Sequence, residues 1–152
     1  MVVVRVNPFD LRSLVMAKHA QHVVLIHFPI ALFITGVALD LLARGKQASQ
    51  LAIAAYLNLS IAAVSVFPVL VTGLLAWQFA LEGERIKGLL LFHIIAASFG
   101  ALLVIASWWI HWKARKSDSS ALPRYRIPVE LLGVATIALT AHLGGFLSGV
   151  NT

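Results

Sequence analysis

An all-α membrane protein, folded as an up-down bundle of four transmembrane helices with short loops, is predicted by three observations. The chain has 152 residues, of which 60% are hydrophobic. Its mean hydropathy of +0.90 lies far above that of a soluble domain. Its apolar residues gather in four long stretches separated by short polar ones. Each stretch reaches or exceeds the ~20 residues that carry a helix across ~30 Å of hydrocarbon. In lipid an unpaired backbone group has no partner, so each stretch is expected to be helical.

The first span covers residues 23–43, where Gly45 supplies a stop. The second, 51–79, is longer than a bilayer requires and holds Pro68, which predicts a tilt or kink. The third covers 88–112 and the fourth 128–150, with Pro128 suited to a first helical turn. The connections 44–50, 82–87 and 113–127 are short enough to make neighbouring helices antiparallel. Residues 1–22 read as an interfacial N-terminal segment carrying Asp10, Arg12, Lys18, His19 and His22, and 23–152 as the transmembrane domain. No cleavable signal peptide is indicated.

The net charge of +6 sits in the loops and is read as topology and lipid contact, not as a nucleic-acid surface. Arg44, Lys46, Lys113, Arg115, Lys116, Arg124 and Arg126 lie on one side. Arg5, Arg12, Lys18, Arg85 and Lys87 lie on the other. The balance favours both termini outside the cytoplasm, which would be the periplasm for a bacterial inner membrane protein. Cysteine is absent, which excludes disulfides, thiolate-bound metals, iron–sulfur clusters and covalently attached haem.

Candidate chemistry rests on histidine. His27, His93 and His142 fall in the first, third and fourth spans. Their depths from the side carrying both termini are roughly 7, 7 and 12 Å at the helical rise. Ionisable groups within a span are rare and usually functional, and histidine is the commonest metal ligand. Small residues accompany them: Ala96, Ala97, Gly100 and Ser107 near His93, and Ala135, Ala138, Gly145 and Gly149 near His142. Asn58, Ala62, Ser65, Thr72 and Ala76 form a third small stripe in the second span. Such faces allow close helix packing, or leave room for a flat macrocycle.

Three readings stay open. In the first, haem b is held by His27 and His93, with His142 as alternate ligand or propionate partner and Arg85 near the propionates. The protein would then pass electrons from a quinone or redox-partner subunit. In the second, copper or zinc is bound by His22, His27, His93 and His142. In the third, no cofactor is bound, and the chain is an accessory subunit of an oligomer or larger complex. An autonomous hydrolase is not indicated: no nucleophile–base–orienter set is visible, and the acids lie away from the histidines. Asp40 and Glu130 are expected to pair with Arg or Lys at the interface, and His111 to join Trp109 and Trp112 in an aromatic belt.

The run His22-Val-Val-Leu-Ile-His27-Phe-Pro-Ile-Ala-Leu32, followed by Asp40-Leu-Leu42, resembles a bacterial membrane family known as domain of unknown function 2231. Thr72-Gly73, Trp77, His93 and Leu143-Gly144-Gly145 extend the resemblance over about residues 20–150. Val23 stands in place of the family's proline, and Ala76 where an acidic residue often precedes the tryptophan. The family's C-terminal Tyr-x-His-Gly is missing, and His142 comes instead just before the glycine pair. The resemblance implies a four-helix membrane domain and no settled activity.

Overall fold

The computed structural model describes residues 20–43, 48–83, 85–117 and 121–149. Most of the proposed interfacial segment, His19 included, and the loop cations Arg44 and Lys46 lie outside them. The described chain is helical: α1 (Ala20–Leu25), α2 (His27–Leu42), α3 (Ala48–Ala80), α4 (Gly88–Lys116) and α5 (Arg126–Leu147). Four spans are long and apolar enough to cross a membrane, α1 and α2 together forming the first.

Pro29 explains the division between α1 and α2. Lacking an N–H, it cannot donate to the carbonyl four residues back, that of Leu25. Bonds on either side persist, from Ile26 N–H to the His22 carbonyl at 3.0 Å and from Ile30 N–H to the Ile26 carbonyl at 3.3 Å. The interruption is therefore a single break at Ile26. Helix α3 continues through Pro68 for 33 residues. That is about 50 Å of helix, well beyond the hydrocarbon thickness. Helix α4 runs to Lys116, past the end expected near residue 112. Lys113, Arg115 and Lys116 in its last turn complement the helix dipole.

The bundle is two hairpins. Helix α2 packs chiefly on α3, and α4 chiefly on α5, with lighter contacts joining α3 to α4 and α2 to α5. The core comprises Phe33, Val37, Leu59, Ala62, Ala63, Val66, Val104 and Ile137. Large apolar side chains such as Ile61, Val64, Phe67, Leu74, Phe92 and Leu102 face outward. In water this surface would be an aggregation hazard; in a bilayer it is the lipid face.

Glycine sets the closeness of two helix crossings. A Cβ at Gly36 would lie 3.0 Å from Leu59, and one at Gly133 would lie 2.8 Å from the Phe33 ring. Phe33 is fully buried and has little space to yield. Gly133→Ala should therefore lower stability by about 1–3 kcal/mol through overpacking. Thermal unfolding in detergent measures it, and an unchanged midpoint would mean that the Phe33 ring shifts freely.

The small stripe expected on the fourth span requires correction. Ala135, Ala138 and His142 are exposed, whereas Glu130, Gly133, Thr136 and Ile137 are buried. Close approach at Gly133 turns the face of Glu130, Gly133 and Ile137 inward instead, so small size alone does not identify the packed face. On α4 the expected face holds, with Ala96, Gly100 and Ser107 buried.

Candidate functional site

Two side-chain clusters lie at opposite ends of the bundle. At the end where α1 begins, His22 sits against α3, and a Cβ on Gly73 would lie 3.1 Å from its ring. On α4, His93 sits against α5, and a Cβ on Gly144 would lie 3.2 Å from its ring. Each glycine is the seat of a histidine from another helix. Both histidines lie at the same end of the bundle.

The hydrogen bonds assign ring nitrogens. His93 Nδ1 donates to the Thr140 carbonyl at 3.2 Å, and His27 Nδ1 to the Val23 carbonyl at 2.7 Å. His22 Nδ1 lies 3.3 Å from Thr72 Oγ1. The Thr72 hydroxyl spends its proton on the backbone, reaching the Pro68 and Val69 carbonyls at 2.9 and 3.1 Å. Its oxygen therefore accepts from His22. In each neutral ring Nε2 then keeps the lone pair, the state in which imidazole binds a metal.

The other predicted site residues are distributed around this end. His27 is exposed and bonded within its own helix. His142 is exposed, edge-on to the Phe146 ring at 4.9 Å. Arg85 is exposed and Gly145 half-buried. Gly100 is buried deeper in the bundle, where a Cβ would meet Thr136 and Ile137 at 3.5 and 3.7 Å.

The opposite cluster brings together residues from three helices. Asp40 lies near the C-terminus of α2, His111 in the last turns of α4, and Arg126 and Glu130 in the first turns of α5. His111 Nε2 is 2.8 Å from Glu130 Oε1 and 3.9 Å from Asp40 Oδ1. Arg126 Nε donates to Asp40 Oδ2 at 2.8 Å. Asp40, His111 and Glu130 are 2%, 3% and 0% exposed. Asp40 Oδ1 and Glu130 Oε2 are buried without a hydrogen-bond partner. A cleft of about 320 Å³, lined by Ala52, His111, Ala114, Arg115 and Leu122, reaches the histidine from outside.

Three expectations change here. His111 is not a belt residue: the belt is made by Trp109 and Trp112, with Lys116 Nζ 4.4 Å from the Trp112 ring centre, while His111 points into the bundle. Asp40 does find an arginine, but Asp40 itself is buried and Arg126 only partly exposed. Glu130 pairs with a histidine, so the acids are not all remote from the imidazoles. The missed signal was periodicity. His111 follows Ser107 by four residues on the buried stripe that also holds Gly100 and Val104. Asp40 likewise continues the stripe of Phe33, Gly36 and Val37.

Four apolar spans, outward-facing hydrophobic side chains and polar clusters enclosed between helices define a multi-pass helical membrane protein. The chain belongs to the family described as "Predicted membrane protein (DUF2231)", which matches residues 18–150. No curated protein and no solved structure matches it.

Proposed function

We propose that this is a metal-binding, non-enzymatic membrane subunit, with copper or zinc held by Nε2 of His22 and His93. One observation carries the reading. The two opposed hairpins each seat a histidine on a glycine, and each ring has Nδ1 tied to an acceptor. Nitrogen-only, thiolate-free ligation suits either metal. His27 and His142, exposed at the same end, are the further candidate ligands.

The electron-transfer reading uses the Nε2 atoms of His27 and His93 around haem b, with Arg85 near the propionates and a quinone or partner subunit as electron source. The glycines favour the bare ion over the macrocycle, because Gly73 and Gly144 are filled by imidazoles and Gly100 by α5 side chains. Among the described loop cations, Lys113, Arg115, Lys116, Arg124 and Arg126 outnumber Arg85 and Lys87 at the histidine end. This supports a bacterial inner membrane orientation with the histidine end periplasmic.

The test is metal analysis and a visible spectrum, oxidised and reduced, on the purified full chain. One equivalent of copper or zinc that depends on His22 and His93 is expected, its affinity falling at least about tenfold in His22→Ala and His93→Ala with the fold retained. A Soret band would replace this reading with the cytochrome one. Absence of both metal and band would leave a purely structural subunit.

A further inference from the structure

We propose that Asp40, His111 and Glu130 form a second metal site, independent of the histidine pair, which takes one divalent first-row transition ion such as Mn²⁺, Fe²⁺ or Zn²⁺. One ligand atom from each residue lies within 4.8 Å of the others, and all three residues are buried. Two atoms each about 2.1 Å from one ion lie at most about 4.2 Å apart, so the widest pair closes by about 0.6 Å at most.

The second observation is the pair of carboxylate oxygens without partners. A buried polar atom is normally satisfied, because desolvation without a hydrogen bond costs about 1–3 kcal/mol. Here two are unsatisfied in one place, Asp40 Oδ1 and Glu130 Oε2. Oδ1 lies on the histidine side, since Arg126 holds Oδ2. An ion between the residues would satisfy both oxygens and take the Nε2 position that His111 shares with Glu130.

Charge and access agree. Two carboxylates and a neutral imidazole balance a dication, and the Arg126 side chain, 15% exposed, keeps its own charge toward the surface while orienting Asp40. One nitrogen and two hard oxygens select a borderline-to-hard ion over copper(I). The cleft that His111 helps to line offers an entry path. Without an ion the same residues form an ion-pair network and nothing more, which is the competing outcome.

Mn²⁺ added alone to the full chain in detergent, after chelator treatment, provides the test. Electron paramagnetic resonance should show one saturable Mn²⁺ per chain with coupling to a single imidazole nitrogen. Binding should survive in a His22→Ala/His93→Ala double variant, which separates this site from the one above. It should weaken at least about tenfold in Asp40→Asn and Glu130→Gln, both near-isosteric. The coupling should vanish in His111→Gln. No saturable binding, no imidazole coupling in the unaltered chain, or binding indifferent to Glu130→Gln would each overturn the proposal. The coupling measurement on the unaltered chain holds even if a variant fails to fold.

Discussion

His111→Ala is expected to destabilise the ion-free protein by about 3–5 kcal/mol, the cost of leaving one buried charge without its partner. Glu130 is 0% exposed, and its hydrogen bond to His111 is the one its carboxylate makes among the described residues. Removing the imidazole leaves both carboxylate oxygens unsatisfied beside Asp40. The cost belongs to the stranded acid more than to the lost contact, and this can be checked. Replacing both partners, as His111→Leu with Glu130→Leu, should restore most of the loss, because apolar isosteres of buried pairs are often neutral or better. Thermal unfolding in detergent after chelator treatment reads all three proteins. A single variant within about 1 kcal/mol of the parent would show that water reaches Glu130.

Phe33→Ala should cost a comparable 3–5 kcal/mol, roughly, for a different reason. The ring is fully buried, anchors the core with Val37 and Leu59, and fills the space opposite Gly133. Its removal leaves a cavity at the crossing of α2 and α5, where contact is already light. The loss comes from dispersion and packing, since lipid offers little hydrophobic drive between helices. Phe33→Leu should cost less. Adding Gly133→Ala to Phe33→Leu should recover part of the loss, because the new methyl occupies space the ring has left. If the double variant is less stable than Phe33→Leu alone, the geometry assigned to this crossing is wrong.

The histidine end was partly legible in the residues. His22, Thr72, Gly73, His93 and Gly144 all belong to the quoted motifs, yet their spacing does not say which meets which. The structure pairs His22 with Thr72 and Gly73. It pairs His93 with Thr140 and Gly144. The far cluster was less visible. Asp40, His111 and Glu130 sit near span ends, where isolated charged residues usually snorkel to the surface. Only their register on the buried stripes marked them as internal.

The sequence by itself determined the spans, because hydrocarbon demands about 20 apolar residues with every backbone bond made internally. It also determined the antiparallel order, through short loops. The tertiary structure decided which face of α5 turns inward and which polar groups are enclosed. That choice depends on where a glycine lets another helix approach, as Gly133 does for Phe33. A one-residue change of register turns a helix face by about 100°, and nothing in composition fixes that angle.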